Sequence, residues 1–259
     1  MAKPERVVLS LTLLLTLAAP PRGARAQGAP GAGEGGGGAA AARGGAMGEL
    51  RAERTMGSPT APMTMYIISD FECPFCGDFA RRTFPVLLRE YVTTGKMKVV
   101  YVNMPLSNLH PNAESAAEAA MCAARQSKFW PMHDLLFKYQ DKWAGLRDPG
   151  PYYLALADSI GADRAAFEEC VTTGATRALV HADYQGAVRS GAKATPSFYV
   201  EGGLIEGDLP VADFKTILDS IYRVRTAPDH RPPGPGGAAP AAGSRPGTAA
   251  AAPRRERAR

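Results

Sequence analysis

The sequence predicts an α/β domain with a mixed sheet and an inserted helical segment. Three observations predict it: two apolar runs flank a helical pattern within residues 63–104, a long helical stretch follows, and residues 197–206 form a strand, a turn and a strand. A strand–helix–strand unit favours a parallel strand pair, whereas a strand–turn–strand unit favours an antiparallel pair. A sheet that contains both units is therefore mixed.

The strand–helix–strand unit begins at Met63–Ser69, a short apolar run that is typical of a buried strand. A helical pattern then covers residues 74–91, and Pro85 inside it is expected to kink the helix. Gly95 ends this helix, and Met97–Met104 is the second strand.

The inserted segment is predicted to be helical, and a strand hairpin and a last helix follow it. Five helices are expected in the segment: Ala113–Gln126, Phe129–Gln140, Tyr152–Ile160, Arg164–Thr172 and Ala175–Ser190. The hairpin and last helix are predicted at Ser197–Val200, Leu204–Glu206 and Pro210–Val224.

The first 26 residues have the layout of a secretory signal peptide. Two basic residues precede an apolar run of 13, Val7–Ala19, and Ala24 and Ala26 supply the small residues before a cleavage site. An uncleaved membrane anchor is the alternative, but such a run rises only about 20 Å as a helix, against a bilayer core of about 30 Å. We therefore expect cleavage near Ala26 and a periplasmic or other extracytoplasmic location.

The composition confines the folded part to residues 58–226, with the helical insert at about 106–191. All 20 Phe, Tyr and Trp residues lie between positions 66 and 222, which supports one core. Residues 27–57 are predicted to be a disordered Gly/Ala linker, and residues 227–259 a disordered basic tail. Because residues 55–226 hold 17 basic and 19 acidic side chains, the core has no basic excess for nucleic acid.

Two of the four cysteines stand at the junction of the first strand and its helix, in the run Cys73-Pro74-Phe75-Cys76. At a helix start, free backbone N–H groups and the helix dipole favour a thiolate, so Cys73 is the expected nucleophile. We expect Cys73 to be exposed, and Cys76, one turn later, to be covered. A structural disulfide or half of a metal site is the alternative, but a second close Cys/His pair is missing from the sequence.

The run Ser69–Cys76 (SDFECPFC), the Thr195-Pro196 pair and the helical insert between them resemble the DsbA-like thiol oxidoreductases. These are exported thioredoxin-fold proteins that put disulfides into other proteins. The resemblance covers roughly residues 57–225, and it implies a thioredoxin-like mixed sheet with an inserted helical subdomain.

For the site, the resemblance implies that Cys73 and Cys76 are the redox pair and that cis-Pro196 faces both sulfurs. The backbone of Thr195 is then free to pair with a substrate peptide. The resemblance also implies reduced or misoxidised client proteins, a membrane redox partner that recycles the pair, and a monomer without a cofactor or a metal.

Two positions depart from the pattern of the family. An acid commonly stands six residues before the first cysteine, where this chain has Ile67, so the proton of Cys76 must leave through water or another group such as Glu72 or Glu201. The strongest oxidants have His between the cysteines, whereas Phe75 cannot donate a hydrogen bond to the thiolate. A milder oxidant is therefore expected.

The other two cysteines, Cys122 and Cys170, lie on predicted helices of the insert. Two buried free thiols are one interpretation, and a structural disulfide, favoured by an oxidising compartment, is the other. A disulfide closing this 49-residue loop is worth about 4 kcal/mol in the chain-entropy model.

The sequence thus predicts an exported thiol–disulfide oxidoreductase that introduces or exchanges disulfides through its Cys-Pro-Phe-Cys centre. A disulfide isomerase or a reductase is the alternative within the same chemistry. A metallochaperone that binds copper through Cys73, Cys76 and His110 or a Met, and a redox-inert binding module, are alternatives from other classes.

Overall fold

The computed structural model of the chain describes residues 50–228. The predicted signal peptide, the first part of the predicted linker and all but the first two residues of the predicted basic tail lie outside the described residues.

A five-stranded mixed sheet forms the centre of the fold. Its strands are β1 (Thr55–Met56), β2 (Met63–Ser69), β3 (Met97–Asn103), β4 (Ser197–Val200) and β5 (Gly203–Glu206). They are ordered β1-β3-β2-β4-β5; β2 and β3 are parallel, and the other neighbouring pairs are antiparallel. The predicted α/β fold class is therefore confirmed.

The helix between β2 and β3 is α1, residues 74–92, which contains two π-helical segments, Phe79–Thr83 and Leu88–Val92. Pro85 has no N–H to donate to the turn before it, and the Phe84 N–H bonds the carbonyl of Phe79, five residues back. The expected proline distortion is thus a widened π turn, in which the chain accommodates the missing donor.

The helical insert and the terminal helix complete the chain. The helices are α2 (Ala113–Ala124), α3 (Phe129–Lys138), α4 (Gln140–Trp143), α5 (Gly150–Ser159), α6 (Arg164–Thr172), α7 (Arg177–Arg189) and α8 (Val211–Thr226). A disulfide joins α2 to α6 through Cys122 and Cys170, whose Cα atoms are 5.8 Å apart.

Buried side chains cover both faces of the sheet. On one face, α1 and α8 pack over Ile67 and its odd-numbered neighbours, and the helices of the insert extend this core. On the other face, Ile68 packs with Ala187 of α7 in a smaller apolar cluster. The first face therefore carries the main core, and α1 brings the start of its helix to the carboxyl end of β2.

The predicted linker ends earlier than expected, because the structured region includes residues 50–57. Leu50 and Arg54 are buried, and β1 pairs with β3. Arg54 donates to the carbonyl of Tyr101 and forms an ion pair with Asp183 on α7. A two-residue strand is too short to produce a periodic pattern, so the predicted boundary at residue 58 is wrong.

Candidate redox site

The backbone places Cys73 at the junction of strand and helix. Cys73 is the N-cap of α1 in an extended conformation, and Pro74 follows in the first turn, where a missing N–H costs nothing. The Cys73 N–H donates to the Asp70 carbonyl at 3.2 Å, and the Cys73 carbonyl accepts from Gly77 N–H at 3.1 Å. Cys76 is completely buried one turn later. Both cysteines carry free thiols in this structure.

The loop before β4 lies against the first cysteine. The Thr195–Pro196 peptide bond is cis, and the Cys73 thiol donates to the Thr195 carbonyl oxygen at 3.4 Å. Only 4% of Cys73 is exposed, so the expectation of an exposed nucleophile is wrong. The reason is tertiary: the carbonyl side of the Thr195 loop lies against the sulfur, whereas the sequence shows only that Cys73 starts a helix.

The pKa values of the two thiols are shifted in opposite directions. Hydrogen bonding from the Cys76 thiol, together with the backbone N–H groups of Phe75 and Cys76, outweighs burial and lowers the pKa of Cys73 to about 6. Burial, followed by the neighbouring Cys73, raises the pKa of Cys76 well above its ordinary value. A thiolate is therefore stable on Cys73 at neutral pH, while Cys76 holds its proton.

Two large apolar side chains are exposed near this end of the fold. Phe75, between the cysteines, is 61% exposed, and Leu109, in the loop that leads to α2, is 72% exposed. Pro74 is exposed as well. Exposed apolar side chains therefore follow Cys73 directly in the chain.

Asp70 holds the turn that carries the first cysteine, and the sequence analysis did not single it out. Its carboxylate is buried, accepts from the backbone N–H groups of Glu72 at 2.8 Å and Leu106 at 2.9 Å, and contacts His110 Nδ1 at 2.7 Å. Its own backbone N–H lies 3.5 Å from the Cys76 sulfur. His110, which the sequence analysis named only as a ligand in the alternative copper-binding interpretation, contacts this turn through Asp70.

Of the two acids that were expected as proton acceptors, Glu72 lies near the cysteines and Glu201 does not. Glu72 immediately precedes the nucleophile, accepts from Asn112 N–H at 2.6 Å, and has a pKa raised mainly by burial. Glu201 accepts from Thr64 N–H and pairs with Arg225. Thr64 lies six strand residues before Asp70, which is about 20 Å. Glu201 is therefore at the wrong end of the sheet to serve Cys76.

Ile67 occupies the position of the missing acid and is buried in the sheet. It lies opposite Tyr101 on β3 and Phe198 on β4. The hydroxyl of Tyr101 is buried and makes no hydrogen bond within the described part of the chain. Position 67 therefore places an apolar side chain in the sheet, beside a buried tyrosine that carries a hydroxyl unpaired among the described residues.

A cavity of about 580 Å³ opens beside the redox turn. It is lined by Glu72, Pro74, Arg81, His110, Lys138, Gln140, Asp141 and Ala144. Within residues 50–228, no three His, Cys, Asp or Glu side chains are grouped so that they could hold a metal ion. The proposed copper ligand His110 directs Nδ1 to Asp70.

Curated relatives of the chain carry the name of a membrane transporter. The chain is 33% identical over 186 residues to Na(+)/H(+) antiporter NhaA 3 of Salinispora tropica, covering 69% of this chain and 27% of the relative. It is 31% identical over 183 residues to NhaA 1 of Salinispora arenicola, again covering 27% of that relative. The chain thus spans about a quarter of the length of these relatives. No helix within residues 50–228 is long and apolar enough to cross a bilayer.

Solved structures that resemble the chain include proteins named BdbD and α-DsbA1. BdbD from Bacillus subtilis superposes with a TM-score of 0.60 at 22% identity, covering 66% of this chain and 92% of that one. α-DsbA1 from Wolbachia pipientis superposes with a TM-score of 0.59 at 22% identity, with the same coverage. The family model described as thioredoxin matches residues 49–220. The chain therefore belongs to the thioredoxin family and has the fold of the DsbA proteins.

Proposed function

We propose that the chain is an exported thiol–disulfide oxidoreductase that introduces or exchanges disulfide bonds in extracytoplasmic proteins. The observation that carries the proposal is the pairing of an acidic Cys73 thiol with a buried Cys76 thiol of high pKa, beside the carbonyl of Thr195. One sulfur is thus a good leaving group and the other a poor one, which is the asymmetry that directed disulfide exchange needs.

The oxidised protein would act on a client dithiol in two steps. A client thiolate attacks the Cys73 sulfur, the bond between Cys73 and Cys76 breaks, and Cys76 leaves as a thiolate that takes up a proton. A second client thiolate then attacks the client sulfur of the mixed disulfide, and Cys73 leaves as a thiolate. The client gains a disulfide, and the protein gains two electrons and must be reoxidised by a redox partner, which we place in the membrane.

Thr195 and Pro196 are proposed to hold the client beside the first cysteine. The Thr195 carbonyl already lies 3.4 Å from the Cys73 sulfur, so a strand paired along this backbone would place a client cysteine next to the reacting atom. The Thr195 hydroxyl is buried and without a hydrogen-bond partner among residues 50–228. Exposed Phe75 would add apolar contact to the same client segment.

The site favours the oxidase direction over the reductase and isomerase alternatives. A thiolate-stabilising environment at Cys73 stabilises the reduced protein, which makes its disulfide the stronger oxidant. Reduction of a client depends on attack by Cys76. That thiol is buried and its pKa is raised, and position 67 holds an isoleucine instead of an acid that could take its proton. The antiporter name of the relatives is not carried over, because the chain spans only 27% of their length.

The test uses the purified, glutathione-oxidised chain and a peptide with two cysteines. We expect one peptide disulfide per protein molecule, and no peptide disulfide with Cys73→Ala. Reduced Cys76→Ala is instead given a single-cysteine peptide as its mixed disulfide with glutathione. The Cys73 thiolate should attack the peptide sulfur and release glutathione, and the Cys73–peptide disulfide should accumulate because Cys76 is missing to resolve it, as mass spectrometry would show. A chain that leaves the dithiol peptide reduced, or a Cys76→Ala variant without such an adduct, would refute the proposed activity.

A further inference from the structure

One side chain of the helical insert bonds directly to the backbone of the redox turn. Gln140, at the start of α4, is buried, and its Nε2 donates to the carbonyl oxygens of Phe71 at 2.7 Å and Cys73 at 2.9 Å. The insert is separated from the turn by 67 residues or more along the chain at these contacts. The contact therefore connects the insert to the helix start that carries the nucleophile.

A glycine makes room for this contact. Gly77 lies one turn after Cys73 and donates its N–H to the same Cys73 carbonyl that Gln140 bonds. A Cβ atom at Gly77 would collide with Gln140 Oε1 and would lie 2.6 Å from Arg81 Nη1. Gln140 therefore requires a residue without a side chain at position 77, and the two positions form one packing unit.

We propose that Gln140, seated against Gly77, is a positioning residue through which the helical insert stabilises the Cys73 thiolate. The proposal rests on the function proposed above. The Nε2 hydrogens turn the positive end of an amide dipole towards two carbonyls of the turn, and they fix the plane of the Cys73 carbonyl. The backbone N–H groups of Phe75 and Cys76 are thereby held towards the sulfur.

The hydrogen bonds of the Gln140 side-chain amide are directed to the redox turn. Gln140 lines the cavity beside the turn together with Arg81 and Lys138, yet Arg81 Nη1 is engaged with the Phe137 carbonyl. The Nε2 donors both go to the turn that carries the nucleophile. Removal of the amide would take one donor from each of these two carbonyls and leave the Cys73 carbonyl with the Gly77 N–H, so the helix start would be freer to shift.

Another glutamine of the insert provides a matched control. Gln126 also binds backbone groups through its side chain: Nε2 donates to the Asp163 carbonyl at 3.2 Å, and Oε1 accepts from Asp163 N–H at 2.6 Å. It is remote from the redox turn and joins only segments of the insert. A general loss of stability in the insert should therefore follow from Gln126→Ala as well, whereas loss of thiolate stabilisation should not.

The experiment compares the full chain with Gln140→Ala, Gln140→Met and Gln126→Ala. The thiolate fraction is followed by ultraviolet absorbance against pH, and the redox equilibrium is measured against glutathione. Both Gln140 variants should shift the glutathione equilibrium about fivefold towards the protein disulfide, the factor that one ordinary hydrogen bond contributes to an equilibrium constant. The thiolate midpoint should rise in both, and Gln126→Ala should match the parent.

Circular dichroism identifies variants that remain folded. If Gln140→Ala unfolds, Gln140→Met decides the question, because it keeps the approximate size of the side chain, adds no charge and cannot donate to either carbonyl. A folded Gln140 variant with the parental midpoint and glutathione equilibrium overturns the inference. A parent that does not oxidise the dithiol peptide, but whose thiolate midpoint still depends on Gln140, rejects the proposed function and keeps the coupling.

Discussion

The buried carboxylate of Asp70 contacts Nδ1 of His110 at 2.7 Å, and the two residues are 40 positions apart in the chain. The same carboxylate accepts two backbone N–H groups, while the Asp70 carbonyl accepts from Cys73 and its N–H lies near Cys76. One residue therefore ties the loop before the insert to the backbone of Cys73 and to the sulfur of Cys76.

We expect Asp70→Asn to destabilise the protein by about 2 kcal/mol, because an amide N–H₂ would face donors where the carboxylate accepts them. Chemical denaturation of the purified variant measures this loss. Asp141→Asn serves as the control, since Asp141 is exposed and forms only a surface ion pair with Lys142. Equal stability of Asp70→Asn and the parent would show that the carboxylate does not hold the turn.

The pKa of Cys73 predicts how alkylation depends on pH. In the reduced protein, the rate constant for iodoacetamide should follow the thiolate fraction and reach half of its plateau near pH 6. Mass spectrometry should find the label on Cys73 and little on Cys76, whose pKa is raised by burial. Because only 4% of Cys73 is exposed, the plateau rate should be below that of a free thiol. A midpoint above pH 8 would contradict the assigned acidity.

The same shift makes the stability of the reduced protein depend on pH. The pKa of Cys73 falls from 9.0 to about 6 on folding, so its contribution is fully present above pH 9 and is lost as the pH falls to 6. The raised pKa of Cys76 acts in the opposite direction, but only above its ordinary value. The free energy of unfolding should therefore rise from pH 6 to 9 more steeply in the parent than in Cys73→Ala. Equal slopes would reject the linkage.

We expect Ile67 to limit how fast the buried Cys76 can lose its proton. A carboxylate at this position could exchange a proton with Cys76, which an isoleucine cannot do. Ile67→Glu should therefore speed reduction of a model disulfide more than oxidation of a dithiol peptide. Ile67→Gln is the matched control for size and polarity, and thermal unfolding checks that each variant is folded, since an unpaired buried acid is costly. Equal reduction rates in a folded Ile67→Glu and the parent would show that this proton does not limit the reaction.

The Cys122–Cys170 disulfide should stabilise the insert without taking part in exchange. Replacing both residues by Ala should lower the free energy of unfolding by about 4 kcal/mol, according to the entropy of the closed loop. The thiolate midpoint of Cys73 should stay near pH 6 in the folded variant. Peptide mapping of unreduced protein should recover the crosslinked peptide. Free thiols at both positions in exported protein would contradict a structural role.

The sequence by itself determined the main strands and helices along the chain and the position of the Cys73–Cys76 motif at a strand–helix junction. Periodic apolar runs, a C-x-x-C motif at a strand–helix junction and the Thr195-Pro196 pair are local signals, and local signals can be read from neighbouring residues. The strand–helix–strand unit, the hairpin and the helical insert followed from them. The short strand β1 did not, because two residues carry no periodicity.

Only the tertiary structure decided what surrounds the two sulfurs. The Thr195 carbonyl that lies against Cys73 is 122 positions away in the chain, and the Gln140 amide is 67 positions away from the same residue. Spacing in a sequence holds no information on such distances, because the packing of the insert against the turn fixes them. That packing buries Cys73 and brings the Asp70 carboxylate into contact with His110. It also leaves Glu201 far from Cys76.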